Sequence, residues 1–469
     1  MNKKNLHLIG NAHIDPVWLW QWQEGFHEVK ASFRSALDRM NEFDDFVFCA
    51  SSACFYEWIE QSDPDMFSEI QQRVSEGRWG IVGGWWIEPD CNIPSGESFV
   101  RHSLYGQRFF SEKFGVTAKT GFNIDSFGHA GTIPQILQQA GIDYYTFLRP
   151  GPHEMELPSR VFTWQSPEGS QVTAFEIPYA YNVSGDAIEK YLNEHSDEIP
   201  SELPAWMAFT GVGNHGGGPT IESIKKIQAM NTSGKYDYKM LYSKPEAFFE
   251  ELERSNLELP LVDTELQHHA SGCYSVHSGI KQWNRQAENA LIAAEKWTTL
   301  ANAKLDTTIL DNFKHAWKQL LFNQFHDIMA GTSLEEAYDD ARSQIGESTS
   351  IAERNQNLAL QAFAWNISLP LQPEAFPIVV FNPLTWPVTE TVELEIGVRG
   401  ENLTLVDEKN HPVAYQTIRS HATTWRQRVS FTAELPGLGY RTYRLVQMGE
   451  EVTLPLIQSP LKASDTVLE

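Results

Sequence analysis

Short apolar runs alternate with amphipathic stretches through the first half of the chain. Leu6–Gly10, Phe46–Ala50, Trp79–Val82, Lys119–Ile124, Tyr144–Leu148, Trp206–Thr210 and Lys239–Tyr242 read as buried strands. Between most of them, Pro64–Glu76, Ser98–Lys113, Thr132–Ala140, Ile221–Met230 and Pro245–Leu252 carry apolar residues at helical spacing. This alternation predicts parallel βα units, closed into a barrel or laid out as a broad doubly wound sheet. Val161–Pro178 breaks the rhythm, because two β-type runs flank Pro167-Glu168-Gly169; a hairpin inserted into the α/β region is expected. From Gln282 the period changes. Gln282–Ala303, Thr307–Phe325 and Ser333–Phe363 are long, helical and closely spaced, as in an antiparallel three-helix bundle. Ile378–Val380, Val388–Ile396, Val429–Leu435 and Tyr440–Val446 return to β alternation, punctuated by Pro383, Pro387, Pro412 and Pro436. The expected order is an α/β domain over residues 1–265, a helical bundle over 275–365 and the start of a β-sandwich over 375–469.

Polar residues fall where parallel strands end. Asn11, His13 and Asp15 follow the first strand, Glu88 and Asp90 the third, Asn123 and Asp125 the fourth, Arg149 the fifth and Gly211–His215 the sixth. Ligands bind at the carboxyl ends of such strands, so these side chains should converge on one cleft. His13 and Asp15, two apart on an extended segment, point to the same side and could grip one cation. Asp15 could equally cap the turn at Pro16 while His13 packs. Asp125 and the helix-terminal His326 are available to complete a four-ligand set, although such a histidine is more often a cap or a dipole partner.

The wider composition narrows the function. Acidic residues outnumber basic ones by 61 to 36, a net charge of −25, which argues against nucleic acid and anionic membranes as partners. Met1–Leu8 lacks the apolar stretch of about 7–15 residues of a secretory signal, and no run of about 18 apolar residues occurs. The four cysteines, Cys49, Cys54, Cys91 and Cys273, show no zinc-knuckle spacing. Together these features predict a cytoplasmic protein.

Three segments, in this order, resemble the signatures of glycoside hydrolase family 38 α-mannosidases: Asn11-Ala12-His13-Ile14-Asp15-Pro16-Val17-Trp18, Asn123-Ile124-Asp125-Ser126-Phe127-Gly128-His129 and Asn323-Gln324-Phe325-His326-Asp327. Glu265–Tyr274 and Phe381–Pro387 are similar to that family too. The resemblance implies a seven-stranded parallel β/α barrel, a three-helix bundle and a β-sandwich. It implies one divalent metal ion, usually zinc, held by His13, Asp15, Asp125 and His326; two histidines and two aspartates also suit cobalt or calcium. It implies Asp125 as the nucleophile of a retaining mechanism, Trp18 as a stacking floor for the sugar, Arg149 beside the nucleophile and Asp327 on sugar hydroxyls. The substrate implied is a terminal α-mannoside of an oligosaccharide or glycan.

The proton donor departs from the pattern. Where the family usually has an aspartate after the sixth strand, the chain reads Gly213-Asn214-His215-Gly216. His215 is a candidate acid, as are Asp90, Asp263 and Glu265, but His215 could equally be a loop hydrogen-bonder that shapes a Gly-rich turn instead. Family members usually continue for several hundred residues of β-structure, so the chain is expected to be poorly soluble or weakly active alone, and its oligomeric state is left open. The alternatives are a metal-dependent carbohydrate deacetylase and an inactive mannose-binding fragment.

Overall fold

The computed structural model describes residues 3–178, 180–195, 201–213, 215–267, 269–301, 307–369, 375–397, 403–422 and 425–447. They fall into two compact units, Met1–Leu291 with Thr307–Ala352, and Ile292–Asp306 with Glu353–Glu469.

Among the described residues the first unit carries ten strands: β1 (Lys4–Asn11), β2 (Phe48–Ala50), β3 (Trp79–Ile81), β4 (Thr120–Asn123), β5 (Tyr144–Phe147), β6 (Val161–Gln165), β7 (Gln171–Glu176), β8 (Ala205–Thr210), β9 (Tyr238–Tyr242) and β10 (Leu261–Val262). All seven runs read as strands are found, within about two residues at each end. They pair into two five-stranded sheets. In the first, β1 is central and parallel to three partners, with Leu6 opposite both Trp206 of β8 and Met240 of β9, and Gly10 opposite Phe48 of β2. Because β9 and β2 share the edge opposite β8, the backbone of β1 is bonded along both sides. Its side chains from Leu6 onward are buried, the signature of a strand covered on both faces. The second sheet runs β10-β6-β7-β5-β4.

The hairpin is present, but it is not an insertion. Strands β6 and β7 pair antiparallel, while β7 lies parallel to β5 and β6 parallel to β10, so the hairpin forms the middle of the second sheet. A local turn signal cannot reveal this, because the partners of its outer edges lie far away in sequence. Phe162, Trp164, Val172 and Ala174 of the hairpin share one core with Tyr145 and Phe147 of β5.

Helices Ser278–Leu300, Thr307–Phe322 and Glu335–Ala364 occupy the stretch read as a bundle, with a short helix at His326–Ala330 between the last two. The second unit holds two antiparallel sheets around one core that includes Ile378, Leu405, Phe431, Tyr443 and Leu445. Among the described residues its sheets have four and three strands, because Leu403–Val406, Pro412–Val413 and Tyr415–Ile418 add to the four runs recognised in the sequence. This β-region is therefore more complete than the alternation alone suggests. No helix among the described residues is long and apolar enough to cross a membrane.

Two fully buried histidines tie stability to pH. Burial holds His102 at about 3, and holds His129 at about 4 despite its bond to the Arg149 carbonyl. The Tyr145 hydroxyl lies 2.8 Å from His129 Nδ1, which must accept because Nε2 donates to that carbonyl. In the unfolded chain both groups titrate near ~6.5. As pH falls below that value the unfolded state binds protons that the folded state refuses, so stability present above it is lost towards pH 4. The expected loss at pH 5 is roughly 2 kcal/mol per histidine. Urea melts from pH 7 to 4.5 check this; His102→Gln should flatten the slope, and an unchanged slope would count against it.

Candidate active site and metal centre

The site begins where β1 ends. The Asn11 amide donates to the carbonyls of Ile9 (3.3 Å) and Tyr181 (3.1 Å), which fixes the exit of the strand. His13 and Asp15 follow on an extended turn, both buried, with His13 Nε2 2.7 Å from Asp15 Oδ1. The turn is pinned from outside. A Cβ on Gly25 would lie 2.1 Å from the Pro16 carbonyl oxygen, so only glycine allows the helix Trp22–Glu42 to pack this closely.

Asp125 arrives two residues after β4. Its backbone N–H donates to Glu88 Oε1 at 2.8 Å, its carboxylate is ion-paired with Arg149, and Oδ2 lies 3.7 Å from His13 Nε2. The Arg149 guanidinium also sits over the Phe127 ring, 5.9 Å from its centre.

His326 comes from the helical region, and a buried amide network delivers it. Gln324 Nε2 donates to Asn284 Oδ1 (2.7 Å), Ser98 Oγ (3.0 Å) and Glu288 Oε1 (3.1 Å), and the Gln324 carbonyl accepts from Asp90 N–H. Two residues on, His326 Nδ1 lies 3.2 Å from the Glu88 carbonyl oxygen, and the ring stacks on His13 with centres 5.5 Å apart. A carbonyl only accepts, so Nδ1 carries the proton of this bond. Nε2 is left buried without a hydrogen-bond partner, 3.7 Å from both Asp15 Oδ1 and Asp125 Oδ2.

His13, Asp15, Asp125 and His326 are all buried, and their donor atoms lie within 4.8 Å of one another. Tetrahedral bonds of about 2.0–2.2 Å would place donors roughly 3.4 Å apart. Separations of 3.7 Å and an orphaned imidazole nitrogen therefore fit a divalent ion among these four side chains. The local charge agrees. Burial opposes protonation of His13, yet the carboxylates of Asp15 and Glu88 outweigh it and raise the group to about 10. Burial likewise opposes ionisation of Asp15, yet His13 and His326 hold it at about 2. Carboxylates this closely gathered call for positive charge between them.

Residues 3–284 match the model of the glycosyl hydrolases family 38 N-terminal domain, and residues 268–363 that of the alpha mannosidase middle domain. The chain belongs to glycosyl hydrolase family 38. It is 31% identical to alpha-mannosidase G of Dictyostelium discoideum over 71% of this chain and 31% of that protein. It is 29% identical to alpha-mannosidase 2C1 of Homo sapiens over 86% of this chain and 39% of that one. The chain thus spans well under half the length of these relatives. An alpha-mannosidase structure from Enterococcus faecalis V583 superposes with a TM-score of 0.80 at 19% identity, covering 95% of this chain and 56% of that one, which shows a shared fold.

The remaining site candidates of this family 38 chain are placed as follows. Asp327 is buried, accepts a hydrogen bond from the Thr332 hydroxyl and lies 3.8 Å from His326 Nε2; burial raises it to about 6. Trp18 is half-buried on the segment that carries the first two cluster residues, with Trp20 5.8 Å away. The main chain of His215 pairs with Ile14, between those two residues, which brings the loop after β8 to the site. Its imidazole stacks on Trp20 at 4.0 Å and lies 2.9 Å from a Glu24 carboxylate oxygen. Asp90 caps its own turn, accepting from the N–H groups of Asn92 (2.9 Å) and Ile93 (2.8 Å). Asp263 and Glu265 are exposed. Asn214 and His268 lie outside the described residues.

Sequence reasoning placed Glu88 at a strand end but gave it no role. It missed Tyr181, whose buried ring lies 5.0 Å from His13, and the Gln324 network. A buried polar side chain in an apolar sequence context is the signal that could have flagged Gln324. Tyr181, on a loop with no motif, gave none.

Proposed function

We propose that the chain is the catalytic part of a retaining, metal-dependent α-mannosidase acting on terminal α-mannosides of oligosaccharides or glycans. The observation that carries this reading is the buried His13, Asp15, Asp125, His326 cluster in a family 38 chain, with Arg149 on the fourth-strand carboxylate. His13, Asp15, Asp125 and His326 would hold the ion, zinc by preference. When bound, such an ion supplies Lewis-acid binding of sugar hydroxyls and balances the charge of the carboxylates. We take the two five-stranded sheets as arcs of the β/α barrel, and the long helices as the three-helix bundle.

Asp125 is the nucleophile. Its oxygens are divided between Arg149 on one side and the two imidazoles on the other, which fixes the carboxylate for attack on the anomeric carbon. The attack forms a covalent glycosyl ester as the bond to the leaving oxygen breaks, and water then releases mannose. Trp18 offers an aromatic face to the ring, and Asp327 accepts from sugar hydroxyls. His215 is the proton donor we favour, because its backbone abuts the ligand segment and its Nε2 lies 2.9 Å from a Glu24 carboxylate oxygen. Its removal has a distinctive expectation. His215→Gln should slow mannosides with poor leaving groups by roughly 10²–10⁴-fold and leave a dinitrophenyl mannoside nearly untouched; equal loss on both would remove it from this role.

A cytoplasmic location belongs to the same reading, supported by four unpaired cysteines. The test of the whole is covalent trapping. A 2-deoxy-2-fluoro or 5-fluoro mannosyl fluoride should label the chain once, on the peptide containing Asp125. A deacetylase or a binding fragment would leave that peptide unmodified.

A further inference from the structure

Glu88 is 3% exposed and touches three members of the site at once. Its Oε2 lies 3.3 Å from His13 Nδ1, its Oε1 accepts the Asp125 backbone N–H at 2.8 Å, and its carbonyl oxygen faces His326 Nδ1 at 3.2 Å. The residue is itself anchored. Its N–H donates to Ser52 Oγ at 3.2 Å, the neighbouring Pro89 pairs with Phe325, and the Pro89 carbonyl accepts from Ser126 Oγ at 2.8 Å. One short segment after β3 is therefore stitched to the residues on both sides of the cluster.

We propose that Glu88 is a positioning residue that sets the tautomer and the aim of both histidine ligands and holds the nucleophile in register with them. The inference rests on the metal reading above. Its logic is that of a two-ended ring. A neutral imidazole, the form a metal ligand takes, that gives its Nδ1 proton to an acceptor must present the lone pair of Nε2 at its other end. Glu88 provides an acceptor to each ring, a carboxylate oxygen for His13 and a main-chain carbonyl for His326, so both Nε2 atoms face Asp15 and Asp125. Such outer partners raise ligand basicity, and their loss typically weakens metal binding about 10–100-fold. Here the second carboxylate oxygen adds something further. Through the Asp125 N–H it couples the histidine aim to the position of the nucleophile, so one side chain registers the binding half of the site against the attacking half.

Glu88→Gln is the informative change, because it keeps the shape and reverses one bond. The amide oxygen can still accept from Asp125 N–H, but the amide nitrogen then offers a proton to His13 Nδ1. That favours the opposite tautomer, with Nε2 protonated and unable to ligate. Glu88→Asp keeps the charge and withdraws both oxygens by one methylene, and it guards against failure of the glutamine variant to fold. The experiment titrates Co(II) into the chelated full chain, reading the dissociation constant and the visible absorption of the bound ion, with metal-free melting measured alongside. Expected is a 10–100-fold weaker Co(II) site with an altered spectrum in Glu88→Gln, weakening in Glu88→Asp as well, and metal-free melting close to wild type. Wild-type affinity and spectrum in a folded variant would overturn the assignment alone. A lower metal-free melting point with an unchanged Co(II) constant would do the same, since it marks a merely structural role. Failure of the wild-type chain to bind Co(II) would overturn the metal reading, and this assignment with it.

Discussion

Asp125→Asn is expected to lower kcat on an aryl α-mannoside by on the order of 10⁴-fold or more, with the fold intact. The amide keeps the volume of the carboxylate and can still face Arg149 and the two imidazoles. It cannot attack an anomeric carbon as an anion, so the covalent step is lost whatever binding remains. The change also removes the charge that pairs with Arg149 beside the ring of Phe127. Some loss of metal is therefore expected, and two measurements separate it from the loss of the nucleophile. Metal content by elemental analysis should fall far less than turnover does, and the fluoro-mannoside should no longer label the peptide. Turnover within about tenfold of wild type would remove Asp125 from the mechanism.

The second large effect concerns the ion. Chelation should abolish turnover, and zinc or cobalt should restore it. His326→Ala should raise the metal dissociation constant by on the order of 10²–10³-fold. The magnitude follows from division: a four-ligand zinc site is worth about 10–16 kcal/mol, so one ligand carries roughly 3 kcal/mol, or about two decades of affinity. Its removal costs the apo protein the Nδ1 bond to the Glu88 carbonyl as well as ring packing against His13 and Phe325, so metal-free melting should fall too. Full activity in the presence of a tight chelator would contradict the ion's role.

Much of this site was legible before any coordinates. His13, Asp15, Asp125 and His326 were brought together by motif, and the structure places their donor atoms within 4.8 Å. The strands of the first half were legible too, because a parallel strand buried on both faces is a continuous apolar run. What escaped shares one physical character: its meaning lies in partners distant along the chain. The hairpin around Pro167 looked like an insertion because only its inner edges pair locally. Strand β10 is two residues long and carries no period at all. Gln324 looks like any polar residue until Asn284, Ser98 and Glu288 surround it. The proton donor was the least legible, since Asn214 stands where an acid was expected and the partners of His215, Trp20 and Glu24, lie far away in sequence.

The pairing of β1 has a consequence for the order of events during synthesis. Strand β1 is made before its partners, and its edges are completed by β2, β8 and β9, the last of which ends at Tyr242. On the proposed metal reading, His13 and Asp15 just after it then wait for His326, roughly 300 residues later, which at about 5–20 residues per second is a delay of some 15–60 s. Through that interval His13 and Asp15 emerge as an open pair and Asp125 joins them, with no fourth donor. The finished centre is thus a late product of translation. On the proposed metal reading, a nascent chain released before Gln324 and His326 have docked would carry three of the four donors and hold an ion weakly, so metal loading would mark a chain whose long-range pairing is complete.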